Sequence, residues 1–499
     1  MAALARGGRI NFFGFVLRLV ARVPFLFIAG RMYGAEALGR FAYAVLIVEF
    51  AAQLATLGLK RGLAEQLAHT EKPHVCVAWD ALLVAAAGSM LFMGLLFAFP
   101  QAMFPNSEIF GLEWLLPVAV IALAWSDVML SALAYRHDVG ATVRARAVVE
   151  PWTISIAAFA LAYVSKRDGL IFAYALSMMG ALVASMVPFL RSYGLPDGWR
   201  VVPRELWTMA RRNAPLAAAD AVEWGSRRVD IAVLGLFFSP AIVGVYYVAQ
   251  NVASLPSKLK SSFDPILGPV IARNIAAGDK HAVAKQVRQV GFWVIGAQMG
   301  VALALGIPGE AVMGLVGPAF VAGTGALAFL LAAEVVAAMA AVSEAALIYV
   351  ARHRNMLLSF TMIALQALLS VVLIVVMRQA KLPPMWQATG PAIALLLALA
   401  FAAVTKSVLL SRILKAPVSG WRWPLIWAAL AGIIAGQLAI VVPEWAELLF
   451  GVPAILLVFG YVLWTRGFGP QDRELFKMRK ADIEEMSLPA SSESPSAPR

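Results

Sequence analysis

Two arginines interrupt an apolar stretch near the beginning of the chain. Arg18 and Arg22 lie one helical turn apart within "FVLRLVARVPFLFIAG", residues 15–30. On a helix that turns about 100° per residue, both side chains share a face with Asn11. Arginine donates paired hydrogen bonds to phosphate oxygens and keeps its charge, so this face predicts a cationic, phosphate-binding wall. The structural alternative is an ion pair with an acid on a neighbouring helix.

A second charged stretch, "ADAVEWGSRRVDIAVLG" at 219–235, has Asp220, Glu223, Arg227 and Asp230 at spacings of 3, 4 and 3. On one continuous helix these side chains fall within an arc of about 80°, and Arg228 points about 100° away from Arg227. We predict that Arg227 and Arg228 bind an anionic substrate. Asp220, Glu223 and Asp230 are predicted to couple transport to an ion. Local pairing of Glu223 with Arg227 is the structural alternative.

The composition predicts an all-α polytopic membrane protein. Of 499 residues, 61% are hydrophobic and 14% are charged, and apolar runs of about 18–25 residues recur along the chain, each long enough to cross a bilayer. We predict about 14 transmembrane helices, at 10–30, 38–59, 78–100, 113–134, 148–165, 169–190, 213–238, 241–262, 287–308, 324–350, 356–377, 389–411, 424–442 and 446–465.

The basic residues predict the orientation. With the N-terminus in the cytoplasm, only six of the 41 lysines and arginines fall on the opposite side: Arg31, Arg40, Lys166, Arg167, Arg378 and Lys381. This asymmetry predicts cytoplasmic N- and C-termini. Because the net charge of +12 is spread over many short loops, it does not indicate nucleic-acid binding. The single cysteine, Cys76, excludes an intramolecular disulfide.

An internal repeat divides the chain. Gly39, Phe41 and Ala44 align with Gly244, Tyr246 and Ala249 at an offset of 205, and "AEQLAHTEK" (64–72) aligns with "ARNIAAGDK" (272–280). Six predicted helices separate the copies, which predicts a parallel repeat of two six-helix bundles around a central cavity. The predicted boundaries are 1–205 and 206–415 for the bundles, 416–466 for two extra helices, and 467–499 for a cytoplasmic, largely disordered tail.

Three segments resemble polysaccharide flippases of the Wzx (O-antigen) type, a family of the MOP (multidrug/oligosaccharidyl-lipid/polysaccharide) exporter superfamily. They are residues 31–68 with Gly34, Glu36, Gly39, Phe41, Leu57 and Gly58, residues 228–259 with Asp230, Leu234, Gly235, Gly244, Tyr246 and Ala249, and "IPGEAVMGLVGPAF" at 307–320. The resemblance implies a transporter of the bacterial inner membrane that moves a polyprenyl-pyrophosphate-linked oligosaccharide to the outer leaflet by alternating access. Related lipid II flippases have arginines on helix 1 in a cationic cavity, and Arg18 and Arg22 match them by location.

The alternatives are a MATE-like exporter of small molecules and a membrane polysaccharide polymerase or glycosyltransferase. Several arginines in the cavity argue against cationic drugs, and the short extracytoplasmic loops argue against the enzymes. No phosphate-binding glycine-rich loop or metal-ligand cluster stands out, so no cofactor is expected beyond a coupling H+ or Na+. The expected partners are the lipid-linked oligosaccharide, membrane lipids, and the polymerase and glycosyltransferases of the same pathway.

Overall fold

The computed structural model describes residues 24–109, 111–226, 228–260, 271, 274–275, 277–469 and 472. Within these ranges the chain is helical and contains no strand, which confirms the predicted all-α class. The helices of eight residues or more are α1 Gly34–Ala55, α2 Leu59–Ala68, α3 His74–Ala98, α4 Ala119–Tyr135, α5 Glu150–Leu161, α6 Gly169–Tyr193, α7 Pro203–Ser226, α8 Val229–Phe237, α9 Pro240–Ala253, α10 Lys280–Gly306, α11 Gly309–Val316, α12 Thr324–Val350, α13 Arg352–Gln379, α14 Gly390–Leu414, α15 Pro424–Ala439 and α16 Val452–Val462.

Nine stretches of the described ranges are long and apolar enough to cross a membrane, so the protein is a multi-pass membrane protein. They are Pro24–Ala68, His74–Ala98, Glu113–Tyr135, Gly169–Tyr193, Lys280–Gly306, Pro318–Val350, Arg352–Gln379, Pro384–Leu414 and Glu444–Gly467. The helices at the predicted fifth, seventh, eighth and thirteenth spans are shorter, interrupted or richer in charge. A span as rich in charge as the seventh needs protein or water around it rather than lipid. The total of about 14 stays a prediction.

The helices α1 and α9 cross where both begin. A Cβ atom on Gly39 would lie 1.7 Å from the Pro240 carbonyl oxygen, and one on Gly244 would lie 2.0 Å from the Ala35 carbonyl oxygen. Pro240 follows Ala35 by the same 205 positions that separate the two glycines. The contact is therefore reciprocal, as in elements related by a two-fold axis. Residues that the predicted repeat makes equivalent thus touch one another, and only glycine permits this approach.

Two names describe the ends of the molecule from here on. The end where α1 and α9 begin is the glycine end, after Gly39 and Gly244. The opposite end, where α2 lies, is the arginine end, after Arg61.

The buried apolar residues of the described ranges form one large core along α1 and α9, two cores at the arginine end and a small cluster around Ala398. The largest cluster joins both halves of the chain, with Phe41 of α1, Leu234 of α8 and Leu327 of α12 as members. At the arginine end, the cluster around Leu63 consists of first-half residues, with Leu206, Met209 and Ala210 of α7 packed against it. The cluster around Val287 consists of residues of the second half and of the C-terminal helices. Among the described residues, these two clusters share no buried member, whereas the largest cluster joins both halves.

The glycine end is also closed by loops that reach across the molecule. The Asn106 side chain donates hydrogen bonds to the carbonyl oxygens of Gly235 and Phe238, at 2.7 and 3.0 Å, and so holds the end of α8. Arg31, also of the first half, donates to the Leu315 carbonyl oxygen of α11 at 3.0 Å. The first half thus holds two helix ends of the second half.

Candidate functional site: a charged region between the two halves

The seventh helix is broken inside its charged stretch, so the prediction of one continuous helix at 213–238 is wrong. α7 begins at Pro203 and ends at Ser226, and α8 begins at Val229. Between them, Arg228 has φ −133° and ψ 0°, outside the helical range. α7 packs against α1, α2 and α3, whereas α8 packs mainly against α9, α13 and α14. The break separates Asp220 and Glu223 from Asp230, so these carboxylates do not share one face.

Asp220 and Glu223 of α7 are bound by an arginine of the first half. The Arg61 guanidinium donates to Asp220 at 2.6 Å and to Glu223 at 2.5 Å. Asp220 is buried, and its second carboxylate oxygen accepts no hydrogen bond from the described residues. The Arg61 side chain is 51% exposed. A solvent-exposed guanidinium therefore joins α2 to a buried carboxylate of α7.

Asp230, the third predicted coupling residue, is enclosed by neutral partners. Its carboxylate accepts hydrogen bonds from the Tyr246 hydroxyl at 2.9 Å, the Gln250 amide at 2.8 Å and the Ile231 backbone N–H at 2.9 Å. The residue is fully buried near the beginning of α8. Hydrogen bonds from neutral donors satisfy a buried carboxylate without placing it at a surface, and here they tie α8 to α9.

Arg228 lies at the helix break beside an acid of α1. Its guanidinium is 3.4 Å from Glu49 and lies 5.5 Å from the centre of the Trp224 ring, which stacks on Phe50. Arg228 remains half-exposed. Arg228 is the predicted phosphate-binding arginine that lies within the described residues, and its guanidinium has further N–H donors besides those facing Glu49. Arg18, Arg22 and Arg227 lie outside the described residues.

A charged cluster in the first half escaped the sequence analysis. Arg146 pairs with Asp127 of α4 and, at 2.8 Å, with Glu150 at the start of α5. Lys60 of α2 lies 3.3 Å from Asp127. Arg146 belongs to a π-helical turn at Val143–Val149, a distortion that often accompanies functional sites. The spacing of four residues between Arg146 and Glu150 in "RARAVVEPW" could have predicted their ion pair. Lys60 and Arg61 follow the predicted helix 38–59, so from the sequence they are only charges of a loop.

The second half has its own intramembrane ion pair. Lys406 of α14 lies 3.0 Å from Glu344 of α12 and donates to the Ser359 hydroxyl of α13 at 3.1 Å. The Lys406 side chain is 3% exposed and that of Glu344 39% exposed. The pair links three helices of one half and makes no described contact with the charged region between the halves.

The chemistry of the region between the halves follows from its alternating charges. Four cations near α2 and the end of α7, Lys60, Arg61, Arg146 and Arg228, are each paired with a carboxylate, and several of these groups stay exposed to solvent. The members are Glu49, Lys60, Arg61, Asp127, Arg146, Glu150, Asp220, Glu223 and Arg228. An anionic ligand can displace a carboxylate from its arginine here, and the released carboxylate can then take up a cation or a proton.

Comparisons with solved structures place this fold. The chain is similar to "Lipid II flippase MurJ, inward closed conformation", with a TM-score of 0.65, 12% identity, and coverage of 95% of this chain and 100% of that one. It is also similar to an inward-facing multidrug resistance MATE family transporter of the MOP superfamily, with a TM-score of 0.61, 12% identity, and coverage of 80% and 94%. At these identities the likeness shows the fold.

The sequence comparison shows the family. Residues 28–304, more than half of the chain, match a family model described as polysaccharide biosynthesis protein. No curated protein sequence matches at a significant level. The matched residues include the first two resembling segments, 31–68 and 228–259, in full, and the fold is the one that the resemblance implies. The chain therefore belongs to the polysaccharide biosynthesis protein family and has the fold of the MOP-superfamily transporters.

Proposed function

We propose that the protein is a flippase that moves a polyprenyl-pyrophosphate-linked oligosaccharide from the cytoplasmic to the outer leaflet of a bacterial inner membrane by alternating access. One observation supports this most strongly. At the glycine end, Asn106 and Arg31 of the first half reach across to helix ends of the second half, whereas at the arginine end an exposed guanidinium, that of Arg61, lies between α2 and α7. A transporter closed on one side and accessible from the other has this arrangement.

The charge asymmetry of the loops supports the orientation. Lys72, Arg191, Lys280 and Arg352 lie at the arginine end, where most of the basic loop residues fall. By the positive-inside rule this end faces the cytoplasm. The glycine end then faces outward, and both termini are cytoplasmic. The substrate enters at the side where glycosyltransferases assemble lipid-linked sugars and leaves at the opposite side, where the polymerase of the pathway uses them.

In this proposal, arginine side chains bind the pyrophosphate of the substrate. Arg61 and Arg228 offer guanidinium groups that stay partly exposed while bound to acids. A pyrophosphate bears more negative charge than one carboxylate and matches the planar fork of arginine. Arg18, Arg22 and Arg227 remain predicted members of this site.

Transport is coupled to an ion in this proposal because the pyrophosphate and two carboxylates, those of Asp220 and Glu223, compete for Arg61. When a pyrophosphate binds Arg61, Asp220 and Glu223 lose their cationic partner and take up H+ or Na+, because a desolvated carboxylate needs a compensating charge. Ion and substrate would then bind together, as linkage requires. Asp230, enclosed by Tyr246 and Gln250, has a smaller part in this scheme than the sequence analysis gave it.

The test is lipid analysis of a deletion strain complemented with variants. In the deletion strain, an undecaprenyl-diphosphate oligosaccharide should accumulate on the cytoplasmic side of the membrane. Arg61→Gln removes a charge-assisted contact of about 1.5–3 kcal/mol and should lower transport about 10- to 150-fold at limiting substrate. Arg22→Ala and Arg18→Ala should each also abolish export without loss of protein.

Arg212→Gln is the matched control. Arg212 also joins α7 to α2, through Glu65 at 3.1 Å, with the charges on the opposite helices. If Arg212→Gln lowers export as much as Arg61→Gln, the arginines act as bridges between helices and the phosphate site is refuted. Full export by the Arg18→Ala/Arg22→Ala double variant would exclude the cationic wall of helix 1.

A MATE-like exporter of cations is the second candidate, since five carboxylates line the same region: Glu49, Asp127, Glu150, Asp220 and Glu223. Efflux of a cationic dye from cells, abolished by Asp220→Asn, together with unchanged lipid-linked intermediates in the deletion strain, would favour it over the flippase.

A further inference from the structure

The first two turns of α7 present a face that no other part of the described chain covers. Arg204, Trp207 and Arg211 follow each other at spacings of 3 and 4 residues and share this face. Trp207 is 70% exposed. The exposed apolar residues Leu195, Val201 and Val202 precede the helix.

The opposite face of the same turns is fixed to the first half. Glu205 pairs with Lys72, and Arg212 pairs with Glu65. One turn further, Asn213 is buried against Gly62, where a Cβ atom would lie 1.8 Å from the Asn213 side-chain oxygen. These contacts fix the rotation of α7 about its axis and hold the Trp207 face away from the protein.

Charge is divided between the two faces. The acid of these turns, Glu205, is on the fixed face and is neutralised by Lys72. On the uncovered side, Arg200, Arg204 and Arg211 have no acidic partner among the described residues. An exposed tryptophan flanked by unpaired arginines and apolar residues is the composition that binds the polar–apolar boundary of an anionic bilayer.

The position along α7 agrees with this. Asn213 is the first buried residue of α7, and Arg211 lies about 3 Å and Arg204 about 14 Å before it along the helix. Tryptophan and arginine at this depth reach the headgroup level, the arginine by extending its side chain along the surface.

We propose that the surface formed by Val201, Val202, Arg204, Trp207 and Arg211 binds the phosphate headgroups of anionic phospholipids in the leaflet at the arginine end. Each arginine strengthens this contact about fivefold. The surface orients α7, and with it Asp220 and Glu223, relative to the bilayer. The proposal concerns ordinary phospholipid and does not depend on the transported substrate.

The test uses the full chain in vesicles that contain no lipid-linked sugar. With Cys76→Ser as background, a spin label on Thr208→Cys, an exposed position of the same face, reports collisions with lipid-soluble oxygen and with a water-soluble nickel chelate. We expect a several-fold higher ratio of oxygen to nickel collisions when phosphatidylglycerol is mixed into phosphatidylcholine, and no such rise with Arg204→Gln/Arg211→Gln.

The control is Arg352→Gln/Arg354→Gln, which removes the same charge from the exposed beginning of α13 at the same end. It should keep the rise in collision ratio. Equal ratios in both kinds of vesicle, or loss of the rise in the control as well as in the α7 variant, would overturn the proposal.

Discussion

Replacing Gly39 with alanine should open the glycine end. The added Cβ atom would lie 1.7 Å from the Pro240 carbonyl oxygen and 2.7 Å from the Gly244 backbone nitrogen. These are backbone atoms of a helix, so they cannot turn aside as a flexible side chain would. α1 and α9 must instead move apart where they cross.

The size of the effect follows from overpacking. Forcing a methyl group into a close-packed contact costs about 1–3 kcal/mol, and a clash with backbone lies at the upper end. A penalty of about 2–3 kcal/mol confined to the state with a closed glycine end shifts its equilibrium with the open state about 30- to 150-fold. Gly244→Ala should produce a similar shift, because the contact is reciprocal.

Cysteine accessibility measures this shift. Val243 is buried beside the crossing, so in a Cys76→Ser background Val243→Cys should react slowly with a membrane-impermeant thiol reagent added to whole cells. Gly39→Ala should raise the labelling rate of Val243→Cys by up to about 30- to 150-fold. Gly94→Ala is the matched control, because it is also a helical glycine to alanine change and its Cβ would meet no atom within 4 Å. It should leave the rate unchanged.

An unchanged rate in folded Gly39→Ala protein would refute the reasoning, since the crossing would then not be what closes this end. If Gly39→Ala protein fails to accumulate, Asn106→Ala gives an independent answer. It removes the hydrogen bonds to Gly235 and Phe238 without adding an atom, and it should raise the labelling rate about tenfold.

Two further predictions concern ion pairs away from this end. Glu344→Gln leaves the buried Lys406 charge without its partner and should lower the free energy of unfolding by about 3 kcal/mol. Lys406→Met should lower it less, because Glu344 is partly exposed. Equal melting temperatures for the two variants would contradict this. Burial alone would raise the pKa of Asp472, but hydrogen bonds from Arg422, at 2.9 Å, and other donors outweigh it and lower the pKa. The contact therefore stabilises the start of the tail at pH values above 3.8, the ordinary pKa of an aspartate. It is lost only as the pH falls through the lowered pKa of Asp472. Proteolysis of the tail at pH 7 should be faster in Asp472→Asn than in the wild type, and wild-type protein should match it only in strong acid.

Several features were predictable from the sequence because they depend on local composition. A bilayer admits only segments that satisfy their own backbone hydrogen bonds, so apolar runs of sufficient length predict helices. The repeat stays a prediction. The structure does bring into contact Gly39 and Gly244, which the predicted repeat makes equivalent.

The ion pairs of the charged region were not predictable, because they join residues far apart in the chain. Arg61 and Glu223 are 162 residues apart, and nothing in "GLKRGLAEQ" shows which helix will lie beside it. Local spacing suggested that Glu223 pairs with Arg227, and it suggested one helix across residues 213–238. The break at Arg228 arises because α7 packs on the first half and α8 mainly on the second.

The sequence by itself determined the membrane-spanning, all-α class and the residue types available for binding phosphate, because hydrophobicity and charge are properties of single residues. Only the tertiary structure decided which acid each arginine binds and which end of the molecule is closed. Both depend on which helices become neighbours, and that is set by packing over the whole chain, such as the approach of α1 to α9 that two distant glycines permit.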